Sequence, residues 1–289
     1  MRIRKAVIPA AGFGTRFLPF TKAVPKELIP VIDKPTIQYV VEEAVAAGIE
    51  DILIIVSTGK QAIQDHFNPV FDLEQRLEES GKIAELEAIR KISSLANLHY
   101  VYQRELLGLG HAVLQAKPFI GDEPFAILLG DTVTTSDNAP VTKQLCDAFD
   151  TVQSPVVAME TVPMEKVSRY GVIGGTEERP GLYRVHEFVE KPSPAEAPSN
   201  LVVASRYVFT PEIFDYLEKT PRGKGGEIQI TDAMKMMLAD YPMYGRRIDG
   251  RRHDIGNKLE FVKSTIEFAL KRDDLRDDVK VFIKELIGE

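Results

Sequence analysis

Short apolar runs recur over the first 160 residues, and turn residues bound each of them. They cover residues 6–10, 52–56, 98–102, 125–130 and 155–160. The stretches between them carry apolar positions at helical spacing. One stretch begins after Pro35 and ends before Gly48, residues that favour the first turn and the end of a helix. Short strands separated by helices predict an α/β fold with a mixed, mainly parallel central sheet flanked by helices.

The pattern changes after residue 165. Two strands joined by a turn-rich connection precede a third strand, at 170–175, 182–191 and 204–210. Four helices are predicted beyond them, the last two amphipathic, at 211–219, 231–240, 257–271 and 275–287. No repeat or low-complexity linker divides the chain. We therefore predict one domain in three parts, at about 1–165, 166–256 and 257–289.

Composition narrows the class of protein. The 289 residues are 44% hydrophobic and 27% charged, as in a globular protein, and they carry a net charge of −7. A nucleic-acid-binding protein more often has a basic excess, so we expect no nucleic-acid partner. An anionic substrate would have to be held by a few local cations, because the chain as a whole repels it.

The cysteine count, the spacing of the histidines and the hydropathy exclude further classes of protein. Cys146 is the single cysteine, which excludes an intrachain disulfide and a Cys-rich zinc site. The five histidines show no paired metal-ligand spacing. No run approaches the roughly 18 apolar residues of a membrane span, and the apolar stretch near the start breaks at Pro9 and Gly12. We therefore expect a cytoplasmic protein with no membrane partner.

A glycine-rich turn at 9–19 follows the first apolar run. Gly12 and Gly14 would let backbone N–H groups approach a phosphate closely, and Arg16 adds a cation that can bind two oxygens. Phe17 stands where a dinucleotide-binding loop has its third glycine, and no Gly-Lys-Ser/Thr follows, which excludes a P-loop. Taken alone, the pattern fits a plain strand-to-helix turn equally well.

Two further segments become candidates for ligand binding when they are considered together with this turn. Lys22 and Lys26 could neutralise a triphosphate, although lysines in a Pro-rich segment are more often solvated surface. Gln103 follows an apolar run and precedes Gly108, which opens a helix. Its amide offers both the donor and the acceptor that the imide edge of a pyrimidine needs. In isolation, a plain loop is an equally good interpretation.

Two acidic residues are candidate metal ligands. Asp131 stands at the end of a buried strand, where open α/β sheets bind ligands, and its hard oxygen suits magnesium bound to phosphates. Asp254 is a second candidate metal ligand. Each aspartate could instead stabilise a turn.

Glu190 and Lys191 are adjacent, so on a continuous strand they would face opposite sides. If the strand ends there, the carboxylate could bind sugar hydroxyls and the ammonium a phosphate. Alone, an exposed ion pair ended by Pro192 is the better interpretation. The glycine-rich segment 222–233 predicts a mobile or ligand-clasping loop, in which Thr231 or Asp232 could cap the next helix.

In their order along the chain, these segments closely resemble the bacterial UTP–glucose-1-phosphate uridylyltransferases over roughly residues 4–270. The matching segments are 9–19, 25–44, 65–67, 107–113, 130–131, 169–172, 190–192, 225–233 and 254–257. The polar helical insert at 71–95 also looks like this family. The related thymidylyltransferases lack that insert and typically read LAGG where this chain reads PAAG.

The resemblance implies a Rossmann-like nucleotidyltransferase fold with a smaller sugar-binding β elaboration and terminal helices. Its three parts would bind the nucleotide, bind the sugar phosphate and form the C-terminal helices. Matching positions imply nucleotide contacts from Ala10, Ala11, Gly12, Gly14, Thr15, Gln103 and Gly108. They imply roles for Arg16, Lys26 and Lys191 at the phosphates, Gly171 and Glu190 at the sugar, and Asp131 and Asp254 at Mg²⁺.

The activity implied is formation of UDP-glucose and pyrophosphate from UTP and glucose 1-phosphate, which supplies polysaccharide precursors, by a homodimer or homotetramer. A sugar phosphate oxygen is already a nucleophile, so alignment and charge neutralisation suffice for in-line attack on the α-phosphorus. Galactose or N-acetylglucosamine 1-phosphate as the substrate, and a non-catalytic sugar-nucleotide sensor, remain alternatives. A nicotinamide oxidoreductase would need the missing third glycine.

Three departures from the family pattern matter. Thr132 stands where many relatives have a second aspartate, and Ser205 replaces the usual glycine before Arg-Tyr. The loop at 57–60 looks one residue shorter than the family's loop. Ser205 and the loop bear on sugar selectivity rather than on the reaction class.

Overall fold

The computed structural model describes residues 2–288. Within this range the strands are β1 (Lys5–Pro9), β2 (Pro30–Val31), β3 (Lys34–Pro35), β4 (Asp51–Val56), β5 (Asn97–Tyr102), β6 (Phe125–Leu128), β7 (Thr132–Thr135), β8 (Val156–Thr161), β9 (Gly171–Arg179), β10 (Leu182–Glu190), β11 (Leu201–Phe209), β12 (Tyr244–Arg247) and β13 (Arg251–Asp254).

The α-helices alternate with these strands and then close the chain. They are α1 (Thr36–Ala46), α2 (Gln61–Phe67), α3 (Phe71–Glu79), α4 (Ile83–Ser93), α5 (Leu109–Leu114), α6 (Lys117–Ile120), α7 (Val141–Val152), α8 (Ile213–Lys219), α9 (Ile230–Met237), α10 (Lys258–Lys271) and α11 (Arg276–Ile287). Among residues 2–288, no helix combines the length and the apolar character needed to cross a membrane.

Nine strands form the central sheet, in the order β5-β4-β1-β6-β11-β8-β12-β10-β9. The first four are parallel neighbours, with Ala6 opposite both Ile52 and Ala126. β11 runs antiparallel to β6 and β8, and β9 and β10 form an antiparallel hairpin at the far edge. The sheet is therefore mixed, which confirms the predicted α/β fold, and its antiparallel pairs concentrate in the half beyond β6.

Alternation along the parallel strands builds a core on each face of the sheet. Ile8 and Ile54 point to the side covered by α1 and α7. Val7 and Ile55 point to the other side, covered by α5, α8 and α9. Because both faces are covered, these strands carry near-continuous apolar runs, which is why the sequence pattern revealed them.

A two-stranded ribbon lies outside the central sheet and was not predicted. β7 pairs antiparallel with β13, which places Thr132 opposite Asp254 and Val133 opposite His253. The ribbon joins residues more than 100 positions apart, so the two candidate metal ligands, Asp131 and Asp254, come to the same end of it.

Element boundaries differ from the predictions in places. The helix between Pro35 and Gly48 is confirmed as α1. The single helix expected to open at Gly108 is two short helices, α5 and α6. The turn between β9 and β10 is only Pro180–Gly181, since β9 continues to Arg179. The three-part division of the chain stays a prediction, and the central sheet takes strands from both of its first two parts.

Arg206 on β11 is the largest fully buried side chain. Its Nη2 donates to Glu43 Oε2 of α1 at 2.7 Å and to the Thr132 carbonyl oxygen at 2.8 Å. Glu43 Oε1 in turn accepts from the backbone N–H and hydroxyl of Thr142, at the start of α7. One guanidinium thus ties two helices and the Asp131 loop to the sheet.

Ser205 precedes Arg206 in a left-handed backbone conformation, with φ of 62°. The register of β11 against β8 shifts between Val203 and Tyr207, so the strand bulges here. The Ser205 carbonyl oxygen accepts from Leu129 N at 3.3 Å. A positive φ is a physical reason for glycine at this position, and serine occupies it at some cost in strain.

We expect Glu43→Ala to lower the free energy of unfolding by about 3–5 kcal/mol, because it leaves a buried guanidinium unpaired. Burial acts to raise the pKa of Glu43, but Arg206 and the surrounding hydrogen bonds hold it below its usual 4.5. The stabilisation is therefore present above that pH and is lost as the pH falls, so variant and wild type should converge in acid. Urea denaturation between pH 7 and pH 3 measures both effects.

The matched control is Glu50→Ala, since Glu50 pairs with Arg4 in an ion pair whose side chains are 45% and 54% exposed. That change should cost under about 1 kcal/mol. Equal losses in the two variants would contradict the structural role given to the buried pair.

Candidate active site

A cavity of about 570 Å³ opens at the carboxyl ends of the parallel strands. The loop after β1 contributes residues 11–15, the loop after β5 contributes Gln103, and the loop after β6 contributes Asp131. Open α/β sheets bind ligands at this edge, and the volume is that of a small-molecule site. The predicted site motifs that follow strands therefore meet in one place.

The glycine-rich turn presents a row of backbone donors to this cavity. After Ala10 N donates to Ile55 O, the next backbone bond is Phe17 N to Gly14 O, so the N–H groups of residues 11–16 have no acceptor within residues 2–288. Gly14 has φ of 67°, and a Cβ there would lie 2.9 Å from Lys26 Cβ. Such a concave set of N–H groups is suited to phosphate oxygens.

The 57–60 loop supports this turn. Ser57 Oγ donates to the Ala11 carbonyl oxygen at 2.7 Å, and Lys60 Nζ donates to Glu27 Oε2 at 2.6 Å. Ser57, Lys60 and Glu27 are all buried. This loop therefore bears on the glycine-rich turn and the charges behind it.

A cluster of charges forms one wall of the cavity. Lys26 Nζ lies 2.6 Å from Asp131 Oδ2 and 4.0 Å from Glu27 Oε1. Glu27 is fully buried, and its Oε1 accepts no hydrogen bond in the described chain. Burial raises the pKa of Glu27 and lowers that of Lys60. Burial also acts to lower the pKa of Lys26, but the Asp131 and Glu27 carboxylates raise it overall.

Asp131, Asp254 and Arg16 converge around Gly256. A Cβ built on Gly256 would lie 3.0 Å from Asp131 Oδ2, 3.1 Å from Asp254 Oδ1 and 3.0 Å from Arg16 Nη2. Burial and the charge of Asp131 raise the pKa of Asp254. Burial acts to raise the pKa of Asp131, but Lys26 and Arg16 hold it below its usual value. The absence of a side chain at Gly256 leaves room between the two carboxylates.

This pair of carboxylates fits a divalent cation that also takes ligands from a phosphate and water, as Mg²⁺ does. The described residues contain no group of three or more His, Cys, Asp or Glu side chains arranged to hold a metal. A cation bound at Asp131 and Asp254 would therefore depend on the substrate for its remaining ligands.

The opposite end of the cavity is formed by the turn after β5. Gln103 is buried, and its Nε2 lies 3.2 Å from the Gly108 carbonyl oxygen and 3.0 Å from His111 Nδ1. Gly108 has φ of 96°, and a Cβ there would lie 2.6 Å from Glu227 Cβ. A side chain larger than glycine at position 108 would therefore be excluded by both strain and space.

The segment 222–233 packs on this turn. Ile228 N donates to the Leu107 carbonyl oxygen at 2.7 Å, and Gly110 N donates to the Ile228 carbonyl oxygen at 2.9 Å. Glu227 lines the cavity as a result. The cap predicted for Thr231 or Asp232 is absent, since no side chain caps α9.

A second cluster contains the predicted sugar-binding residues. Gly171 lies opposite Glu190 in the β9–β10 pair, and a Cβ on Gly171 would lie 3.0 Å from Thr231 Oγ1 and 3.3 Å from Glu190 Oε2. β10 ends at Glu190, and Lys191 has φ of 48°. This turn brings Lys191 Nζ to 3.0 Å from Glu190 Oε1. The pair is an ion pair, but the Glu190 side chain is only 15% exposed, so it is not the solvated edge pair of the alternative interpretation.

β13 connects the two clusters. It carries Asp254 and also Arg252, whose guanidinium lies over the Tyr170 ring at 4.8 Å and pairs with Glu160. The Tyr170 carbonyl oxygen accepts from Lys191 N at 2.9 Å. The position of the sugar-side turn is therefore coupled through Arg252 to the strand that carries a candidate metal ligand.

The structure thus divides the predicted residues into groups. Those that line the cavity are Ala11, Gly12, Gly14, Thr15, Lys26, Gln103, Gly108 and Asp131. Arg16 and Asp254 join them around Gly256, whereas Gly171, Glu190 and Lys191 form the second cluster. Ala10 is buried behind the turn and does not line the cavity, because its N–H completes the β1–β4 ladder.

Several residues at the site were not predicted. They are Glu27, Lys60, His111, Glu227 and Arg252. A buried carboxylate in a Lys-Glu pair gives no sequence signal that separates it from a solvated one. His111 follows the predicted glycine turn directly, and that position was the one available hint.

Comparison with known proteins agrees with this geometry. The nucleotidyl transferase family model matches residues 5–269. A UTP–glucose-1-phosphate uridylyltransferase of Staphylococcus haemolyticus is 52% identical over 285 residues, covering 99% of each chain. That of Bacillus subtilis is 49% identical over 288 residues, covering 100% of this chain and 98% of the relative.

Solved structures give the same result. A UDP-glucose pyrophosphorylase complexed with UDP-glucose superposes with a TM-score of 0.86 at 40% identity, covering 93% of this chain and 100% of the other. A UTP-bound enzyme from Acinetobacter baumannii superposes with a TM-score of 0.90 at 36% identity, covering 98% and 99% of the two chains. The chain belongs to the nucleotidyl transferase family, and within it to the UTP–glucose-1-phosphate uridylyltransferases.

Proposed function

We propose that this chain is an enzyme that forms UDP-glucose and pyrophosphate from UTP and glucose 1-phosphate. The observation that carries the proposal is that unpaired N–H groups, Lys26, Asp131 and Gln103 face one another in one cavity. Relatives at about half identity over the full length bear the name of this activity. The same geometry supplies a pyrimidine contact, a phosphate cradle and carboxylates for a cation.

The nucleotide lies across the cavity in this proposal. Gln103 and the turn at Gly108 contact uracil, and the backbone of residues 11–15 receives the triphosphate. Arg16 and Lys26 stabilise the leaving pyrophosphate, because both cations lie near Asp131. Ala10 acts only through the strand end that positions the turn.

The second cluster binds glucose 1-phosphate. Glu190 and the backbone at Gly171 hold sugar hydroxyls, and the Lys191 ammonium binds the phosphate and brings its oxygen toward the α-phosphorus. Since that oxygen is already anionic, no general base is needed, and in-line attack depends on alignment and charge neutralisation. The partly buried Glu190–Lys191 pair gives the sugar site one acceptor and one cation side by side.

Asp131 and Asp254 would hold Mg²⁺, which when bound supplies positive charge to the phosphate oxygens. The chain's own residues do the rest of the positioning. The cytoplasmic location, the homodimer or homotetramer and the exclusive use of glucose 1-phosphate rather than another sugar phosphate stay predictions.

The direct experiment is pyrophosphate release over a panel of nucleotides and sugar phosphates. We expect UTP with glucose 1-phosphate to be the best pair, and ATP and GTP to be used at least about a thousandfold less well, since a purine mismatches a site hydrogen-bonded to one base edge. If galactose 1-phosphate were used as well as glucose 1-phosphate, the proposed specificity for glucose would be wrong. If UTP bound but no pyrophosphate were released, the non-catalytic sugar-nucleotide sensor would be favoured.

Asp131→Asn should lower turnover by at least about 100-fold, because a neutral amide is a poor ligand for a hard dication. The requirement for magnesium, titrated by pyrophosphate release, should rise in parallel. Circular dichroism should show a retained fold. Asp137→Asn is the matched control, since Asp137 is exposed and lies on the other end of the β7–β13 ribbon. Near-normal turnover of Asp131→Asn would contradict the assignment of Asp131 as a metal ligand.

Lys191→Ala should raise the KM for glucose 1-phosphate and lower turnover, each by about tenfold or more, because a charge-assisted phosphate contact is lost. UTP binding, measured by calorimetry without the sugar phosphate, should stay within about twofold. Lys166→Ala is the control, as Lys166 is exposed just before β9. If kinetics of Lys191→Ala matched those of the control, the second cluster would not be the sugar-phosphate site.

A further inference from the structure

The orientation of the Gln103 amide is fixed by its neighbours. Nε2 lies 3.2 Å from the Gly108 carbonyl oxygen, and a carbonyl oxygen can only accept. The atom that faces it must therefore be the NH₂ group. The same Nε2 lies 3.0 Å from His111 Nδ1, so both amide protons are directed into the protein.

This arrangement leaves only the Gln103 Oε1 for a ligand. No described group donates to that oxygen, and Gln103 lines the cavity. The sequence had suggested that the amide offers both a donor and an acceptor to a base. In the structure its two donors are committed to Gly108 and His111, and a single acceptor remains.

For both amide protons of Gln103 to be used in this way, His111 Nδ1 has to accept a hydrogen bond from Gln103 Nε2. The ring must then be neutral, with its proton on Nε2. Gln115 Nε2 lies farther from the ring, at 3.4 Å from His111 Nε2, and donates to the His111 carbonyl oxygen at 3.2 Å. The shorter contact is the one to Gln103, and it determines the tautomer.

The base edge that fits a lone acceptor is the N3–H of uracil. Cytosine carries an unprotonated N3 at the same place, so its lone pair would face the Oε1 lone pairs. We infer that His111 is a positioning residue that, together with the Gly108 carbonyl oxygen, holds Gln103 with Oε1 toward the base and thereby strengthens the selection of uracil over cytosine. This inference rests on the proposed function, in which Gln103 contacts the base.

In this role His111 does not distinguish UTP from dTTP. Thymine presents the same N3–H as uracil, so the amide orientation gives no discrimination between UTP and dTTP. A histidine that merely packed the start of α5 would affect all three nucleotides alike when replaced. The ratio between nucleotides therefore separates the two roles.

The test compares His111→Leu with His111→Asn. Leucine removes the acceptor at nearly the same size, whereas the asparagine Oδ1 can accept where Nδ1 did. Of the two described contacts of the amide NH₂, only the one to the Gly108 carbonyl oxygen at 3.2 Å then remains, so one amide proton is uncommitted and the NH₂ turns more readily toward cytosine N3. In His111→Leu we expect the UTP to CTP ratio of kcat/KM to fall by about tenfold or more. His111→Asn should stay within about threefold of wild type, and the UTP to dTTP ratio should be unchanged in both variants.

Calorimetric binding of UTP and CTP, without sugar phosphate, is the second readout. It tests the base selectivity even if wild type releases no pyrophosphate, a result that would overturn the proposed function and not this inference. An unchanged UTP to CTP ratio in His111→Leu, or an equal loss for all three nucleotides, would overturn the role of His111. If His111→Leu fails to fold, His111→Met is measured by the same two ratios.

Discussion

The balance of charge around Lys26 is the constraint on which the rest of the site depends. Lys26 lies between Asp131 and the fully buried Glu27, and Glu27 is compensated from its other side by Lys60. Removing Glu27 would leave the buried Lys60 without its ion-pair partner, which is far more costly than losing a surface pair. With Arg16 and Asp254 the cluster holds three cations and three anions, so its fixed charges cancel.

This balance needs a rigid frame, because Coulomb energies inside a protein change steeply with distance. Arg206 supplies part of the frame, since it binds the Thr132 carbonyl oxygen and Glu43 at once. The β7–β13 ribbon supplies another part, by bringing Asp254 to Asp131. The glycine-rich turn is held in place by Ser57, which donates to the Ala11 carbonyl oxygen. Most polar residues at the site therefore act by fixing the position of a few charges and backbone N–H groups.

The sequence predicted what local patterns encode. The parallel strands were evident from their apolar runs, and α1 from Pro35 and Gly48, because both features arise within a few neighbouring residues. Pairings across long separations left no such signal. The ribbon consists of four-residue strands of mixed polarity, and Lys60 and Glu27 stand 33 positions apart and resemble solvated residues. Ala10 was assigned to the nucleotide by resemblance to a motif, yet the ladder to Ile55 turns its N–H away from the cavity.

Thr132 shows how the surrounding residues limit the number of charged side chains at the site. Its side chain is 3% exposed, and its Oγ1 lies 3.5 Å from Asp131 Oδ1. An aspartate at this position would place a second carboxylate against Asp131, in a cluster whose charges already cancel, and it would need a further cation to be tolerated. Threonine keeps the backbone carbonyl that Arg206 binds and adds no charge. The departure at position 132 is therefore compatible with a cation held by Asp131 and Asp254, because the charge balance here closes without a second acidic residue after Asp131.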